Sequence, residues 1–439
     1  MTEPFVITNV IVIDGTGKKK AFPGSVGIKD GAFSFVQKGF DIPANVQVVD
    51  GKGFFLIPGL FDCHVHLAAP PDPDSHEPYW KLSTPPPGKV LATLKSAQAS
   101  LEAGFTTIRN CGAVSWGVPE DILVRDAIRS GFFPGPRILA CGGAITMTGG
   151  HGDRAFPAYI PKDPERGFGD VTCDGVDACI REVRKKVRLG ADFIKIFSTG
   201  GVSTPGDGPD SVDFSIGETR AIVEEATRHN RLVATHAQGL EGIRNAVTAG
   251  VSTIEHGSWL DKETASRMAE KNISLVTTIG IFNAIIARGA DYPNQESITK
   301  AGNIISAQAS AVRIAREAGI NIAMGTDASM SIRNGDNARE MEALSELGIS
   351  NREILAMATK NAALALGLDQ VAGTVEPGRS ADCLLLSGDP LDDIGIIAGK
   401  KDIRAVVSRG RIQCLRPENG EVVSSVMFTP AFAEKVLSL

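Results

Sequence analysis

Histidine is scarce in this chain, with seven in 439 residues, and the places where it falls give the first indication of chemistry. His64 and His66 stand as H-V-H at the end of an apolar run. In a strand, residues i and i+2 point to the same side, so both imidazoles can reach one cation. Lys195 sits inside F-I-K-I-F, where an unpaired ammonium is expensive to bury and needs a partner or a modification. His236 ends A-T-H, His256 ends I-E-H, and Asp327 ends G-T-D. Each of these alone reads equally well as an ordinary polar residue closing a strand. Together, four of the seven histidines, a lysine and an aspartate at the ends of separate apolar runs read as a metal centre.

Such residues need a scaffold that gathers strand ends at one place. Eight apolar runs can be counted, over 54–66, 106–112, 137–145, 193–200, 232–239, 252–258, 274–280 and 321–328. Amphipathic helical stretches lie between them, most ending at Gly or Asn. Eight alternating units predict an α/β fold, a (β/α)8 TIM barrel over 59–369 whose active site lies at the C-terminal ends of its strands. Residues 1–58 and 370–424 read instead as short strands between turns. They predict a smaller β-sandwich built from both termini, followed by a tail over 425–439. Residues Pro70 to Pro87 hold seven prolines in eighteen positions and are expected to form a lid or rim over the barrel mouth.

Composition narrows the classes. Apolar residues make up 43% and charged residues 22%, a globular mixture too apolar for disorder. The 45 basic and 51 acidic residues leave a charge of −6 without blocks of one sign, which argues against a nucleic-acid partner. No window of about 18 uninterrupted apolar residues and no basic, apolar leader is found. A cytoplasmic protein without a membrane partner is expected. Seven cysteines at irregular spacing with no CxxC suit reduced thiols better than disulfides or a structural zinc module.

With H-V-H, the lysine of the fourth strand, two single histidines and the late aspartate in place, the chain resembles the amidohydrolase superfamily. The flanking I-P-G-L-F-D-C-H-V-H-L and G-T-V-E-P-G-R-S-A-D-C-L-L-L are similar to that superfamily on both sides of the barrel, and the likeness runs over about residues 5 to 415. T-G-G-H-G-D (148–153), F-I-K-I-F-S-T-G-G-V (193–202) and A-T-H-A-Q-G (234–239) resemble the imidazolonepropionase-like branch, with its prolidase-type dipeptidases and ochratoxin-degrading amidases. In that branch a fourth-strand lysine marks the two-metal members; imidazolonepropionases themselves usually use one metal and lack it.

The resemblance implies that Lys195 is carboxylated by CO2 to a carbamate. One divalent ion would then be held by His64, His66, the carbamate and Asp327, the other by the same carbamate with His236 and His256. Nitrogen and oxygen ligands suit Zn2+, with Mn2+, Co2+ or Fe2+ also compatible. Cys63 points to the opposite side of its strand and is not counted. A water bridging the two ions would become the nucleophilic hydroxide, with Asp327 carrying its proton to the leaving amine. His151 is expected to contact the substrate and assist catalysis, Arg154 to clamp a carboxylate, and Gly200, Gly201 and Val202 to let substrate approach the backbone. His76 and His229 read as surface residues, and Tyr79 and Trp80 as lining the rim or pinning the lid.

The expected activity is therefore hydrolysis of a peptide or N-acyl amino acid amide, as in a carboxypeptidase or ochratoxin amidase, by a homo-oligomer. The alternatives are a lactone, cyclic amide or ester hydrolase of the same superfamily, a one-metal ring opener, and a non-catalytic scaffold homologue.

Overall fold

The computed structural model describes all residues except 1–2, 41, 44, 71–79, 81–82, 113–117, 154–170, 205–206, 293, 418–421, 426–427 and 438–439. The N-terminal strands are β1 (Phe5–Val12), β2 (Phe22–Lys29), β3 (Ala32–Lys38), β4 (Gln47–Asp50) and β5 (Phe55–Pro58). The parallel strands follow as β6 (Leu60–Val65), β7 (Phe105–Asn110), β8 (Arg137–Ala140), β9 (Ile145–Thr146), β10 (Val171–Thr172), β11 (Ile194–Phe197), β12 (Val233–Ala237), β13 (Thr253–His256), β14 (Ser274–Thr277) and β15 (Ile322–Met324). The chain closes with β16 (Cys383–Leu386), β17 (Ile403–Ser408), β18 (Arg411–Leu415) and β19 (Val423–Ser424).

The apolar run at 54–66 is two strands, not one. Gly59 separates β5 from β6, and a Cβ there would collide with the Thr106 side chain. Before that break the chain pairs antiparallel with β16, Pro58 opposite Cys383; after it, it pairs parallel with β7. The run at 137–145 is likewise split, into β8 and β9.

All eight expected parallel strands are present, as β6, β7, β8 and β11 to β15, and most run fully buried, as strands covered on both faces must be. They form a three-stranded sheet, β6-β7-β8, and a seven-stranded sheet, β10-β9-β11-β12-β13-β14-β15, and no single closed ring of strand pairing is seen among the described residues. The two sheets do exchange hydrogen bonds. Asp327 N donates to His64 O at 2.7 Å, His66 N to Ala328 O at 2.8 Å, and Asp192 N to Ala140 O at 2.8 Å. Asp62 fastens the first of these seams, its carboxylate accepting from Thr326 N (3.0 Å), Thr326 Oγ1 (2.6 Å) and Asn337 Nδ2 (2.8 Å).

Local signals set the helices. Ser215 and Glu218 form a reciprocal capping box at the start of Ile216–Arg228, which satisfies two otherwise orphaned backbone donors. Pro86 occupies the first turn of Pro86–Glu102, so the end of the proline-rich stretch starts a helix, where a missing N–H costs nothing. The last helical stretch of the barrel segment divides into Asn351–Met357 and Lys360–Ala365. Thr359 interrupts it with φ −134° and ψ −99°, outside the helical range.

Strands from both ends of the chain join one nine-stranded sheet, ordered β19-β18-β17-β16-β5-β1-β2-β3 with β4 beside β1. Its apolar side buries Phe5, Ile7, Val12, Phe33, Leu56, Leu385 and Val407, together with Ala433, Val436 and Leu437 of the helix Pro430–Leu437. The expected tail is thus in part a helix packed against the terminal sheet.

Glu340 is fully buried, and Gly280 N, in the first turn of Ile279–Ala287, donates to it at 2.7 Å. Burial pushes its carboxyl up to about 8 despite that bond. Its pKa is raised on folding, so the stability it contributes is present below its unfolded value of 4.5 and is lost as pH rises through about 8. Glu340→Gln cannot ionise, and its melting temperature is expected to gain on that of wild type between about pH 5 and about pH 9. Parallel melting profiles across that range would count against this assignment.

Candidate metal centre

Strand alternation delivers the first part of the site. Lys195 and Phe197 share a face of β11, with Nζ 5.6 Å from the Phe197 ring centroid. Phe197 lies opposite His236 of β12 in parallel register. His64 is buried in β6, and His66 follows one residue beyond the end of that strand. The His64 and His66 ring centroids are 5.4 Å apart. The Cys63 side chain points the other way, toward Ala362.

Two residues arrive by a different route. Simple alternation along β13 would put Glu255 on the interior face with Thr253 and turn His256 away. His256 instead has φ +70°, and its ring lies 4.5 Å from that of His236 and 5.0 Å from that of His64. Asp327, three residues past β15, has φ +56°. Its Oδ1 is 3.0 Å from His66 Nε2 and 3.7 Å from His64 Nε2. Left-handed backbone at non-glycine residues costs about 1–3 kcal/mol each and collects at functional sites.

Electrostatics give the donors the right form. Burial first, then the Lys195 charge, pushes His64 down to about 4. Burial, then neighbouring histidines and Lys195, holds His236 and His256 well below the ordinary imidazole range. All three are therefore neutral at pH 7, each with a ring lone pair. His236 Nε2–H donates to Gly200 O at 3.0 Å, which leaves its Nδ1 lone pair available. Burial alone would raise the Asp327 carboxyl, but the His66 hydrogen bond and the charges of His64, His66 and Lys195 bring it below the usual range.

The ligand atoms of His64, His66 and Asp327 lie within 4.8 Å of one another, a nitrogen and oxygen set suited to a divalent cation. His64, Cys111 and Glu255 also meet that distance. In that second set Glu255 is already bonded by Arg109 at 2.6 Å, and burial pushes the Cys111 thiol up to about 12, so it offers no thiolate. Lys195 supplies a further test of fit. It is 1% exposed, and its Nζ has no hydrogen-bond partner among the described residues. A bare, unpartnered ammonium is poorly accommodated at such a position.

His151 stands beside this cluster. Its ring stacks on His236 at 4.6 Å, its Nδ1 lies 2.8 Å from Asp207 Oδ2, and its backbone N donates to Asp213 at 2.9 Å. Gly201 N donates to the same Asp207 oxygen at 3.1 Å, and a Cβ at Gly201 would run into the His151 imidazole. Val202 is buried, its carbonyl accepting from Ser297 Oγ at 2.9 Å. Arg154, His76 and Tyr79 lie outside the described residues. His229 caps the C-terminus of the helix Ile216–Arg228, half-buried beside Glu225 at 3.3 Å. Sequence reasoning missed Asp207, Asp213, Arg109 and Glu255.

Family comparison bears directly on this cluster. The family model described as the amidohydrolase family matches residues 55–413. The chain belongs to the amidohydrolase family. This amidohydrolase is 32% identical over 371 residues to the ochratoxinase of Aspergillus niger, covering 81% of this chain and 75% of that one. A crystal structure of A. niger ochratoxinase superposes with a TM-score of 0.81 at 30% identity, covering 94% of this chain and 95% of that one. A prolidase crystallised with N-methylphosphonate-L-proline gives a TM-score of 0.83 at 30% identity, covering 94% and 100%. An imidazolonepropionase of Symbiobacterium thermophilum is 24% identical over 420 residues, covering 88% and 87%. The resemblance to the imidazolonepropionase-like branch is thereby borne out, and the protein is a hydrolase of amide or peptide bonds. No helix among the described residues is long and apolar enough to cross a membrane.

Gly201→Ala should displace the His151 ring while the fold persists. A loss of kcat/KM on the order of 10²-fold is expected, the scale of a 1 Å misplacement, with little change in melting temperature. Unaltered turnover in a folded variant would separate His151 placement from activity.

Proposed function

We propose that this amidohydrolase uses two divalent cations to hydrolyse the amide bond of a peptide or N-acyl amino acid, including amides of the ochratoxin kind. One observation carries the reading: His64, His66, His236, His256 and Asp327 converge with a buried lysine that has no hydrogen-bond partner among the described residues. His64, His66 and Asp327 would hold one cation, His236 and His256 the other, and Lys195, carboxylated by CO2, would serve both. Cations so held, Zn2+ among the candidates, lower the pKa of water to near neutrality and polarise a carbonyl.

The chain's own groups do the rest. Asp327 is an ionised carboxylate beside His66 at 3.0 Å, able to take a proton at an oxygen and return it to the departing amine nitrogen. His151, oriented by Asp207, would donate a hydrogen bond to the substrate carbonyl or carboxylate, with Arg154 as a carboxylate clamp. Gly201 and Val202 would let the substrate lie against the backbone.

The hydrogen bonds between the two parallel sheets and the reach of Arg109 from β7 to Thr253 and Glu255 of β13 support one (β/α)8 barrel over 59–369. The shared terminal sheet supports a β-sandwich over 1–58 and 370–424. Seven buried cysteines without disulfides suit the reducing cytoplasm.

Metal analysis is expected to find about two divalent ions per chain. Lys195→Ala should lose both the ions and the release of free amine from N-acyl amino acids and dipeptides. A fully active one-metal variant would overturn the role of Lys195, and wild-type activity confined to esters or lactones would overturn the substrate class. Asp327→Asn should keep much of the metal yet lose turnover by about 10²- to 10⁴-fold, the usual range for a proton carrier. Unchanged rates would remove it from that role.

A further inference from the structure

Beneath the metal cluster lies a buried charge pair that the mechanism above does not use. Glu255 is fully buried in β13 and Arg109 is 1% exposed in β7. Arg109 Nη2 donates to Glu255 Oε1 at 2.6 Å, its Nη1 to Thr253 Oγ1 at 3.1 Å, and its Nε to Cys63 O at 2.7 Å. Thr253 Oγ1 also donates to Glu255 Oε1, at 2.5 Å. The other carboxylate oxygen, Oε2, lies 2.9 Å from His64 Nδ1.

These contacts fix a direction. A carboxylate held by a guanidinium only accepts hydrogen bonds, so the His64 Nδ1 facing it carries the proton. His64 Nε2 is then left with its lone pair, on the side of the ring that faces Asp327 at 3.7 Å. The Arg109 fork matters because it binds the carboxylate and the Cys63 carbonyl together. Cys63 precedes His64, so the arginine anchors both the backbone and the side-chain partner of one residue. Such a partner on the far ring nitrogen orients a metal-ligating histidine and raises its basicity.

We propose that Arg109 and Glu255 are positioning residues, which lock His64 as its Nδ1–H tautomer and aim its Nε2 at the cation. This rests on the two-cation reading above. Glu255→Gln keeps the size of the side chain but replaces the carboxylate with an amide that can turn its NH2 toward His64 and favour the opposite tautomer. In the full-length protein, Zn2+ affinity measured by chelator competition should fall about 10- to 100-fold. The visible absorption of the Co2+-loaded protein should shift with it, a change that loss of stability alone does not cause. Arg109→Lys, which keeps the charge but not the fork, should fall between wild type and Glu255→Gln. Wild-type affinity and an unshifted Co2+ spectrum in folded Glu255→Gln would overturn the proposal while leaving the metal centre standing. Absence of cation binding by the wild type would overturn the centre itself and this assignment with it. If Glu255→Gln does not fold, 15N-histidine spectra of the wild type decide: His64 protonated at Nδ1 upholds the proposal and protonation at Nε2 overturns it.

Discussion

A buried lysine with no hydrogen-bond partner among the described residues, packed against Phe197 inside parallel strands, constrains everything around it. Its charge adds to burial in keeping His64, His236 and His256 neutral, and it helps to hold Asp327 and Glu255 as anions. Within this cluster Arg109 adds a further buried basic side chain, so Lys195 and Arg109 are set against Asp327 and Glu255. That balance makes burial tolerable in a region with little water to screen it. On the proposed reading, carboxylation turns one of the positive members negative, and the donor set becomes one that only added cations can neutralise.

Holding such a cluster requires a rigid frame. His256 and Asp327 both depart from ordinary backbone conformation, and the surrounding bonds must over-determine them. Asp62 contributes by tying β6 to Thr326 and Asn337. Burial pushes its own carboxyl up to about 6 in spite of those bonds. His151 is placed by the same logic, between Asp207, Asp213 and the ring of His236.

Much of this was legible from residue type and period. The H-V-H pair, the lysine in F-I-K-I-F and the strand-end histidines follow from the two-residue repeat, and the eight parallel strands follow from apolar run length. The turn of His256 back toward the cluster does not, because alternation predicts the opposite face and only a left-handed φ reverses it. Arg109 carries a weaker signal than Lys195, because its strand segment T-T-I-R-N is mostly polar whereas F-I-K-I-F is apolar but for the lysine. Its partner Glu255 was hidden beside the more conspicuous His256. Asp207 and Asp213 sit on a loop without period, where spacing carries no information about contact. The split at Gly59 was invisible for a related reason: both strands are apolar, and what changes is the sheet each one joins.

The sheet shared by the two ends of the chain sets the order of events during synthesis. β5 lies between β1 and β16, so when the first 58 residues leave the ribosome one side of β5 has no neighbour until Cys383–Leu386 has been made. Throughout that interval an apolar strand edge is bare, the kind of edge that recruits other chains. A chain that stops short of residue 383 therefore keeps the β16 side of β5 unpaired.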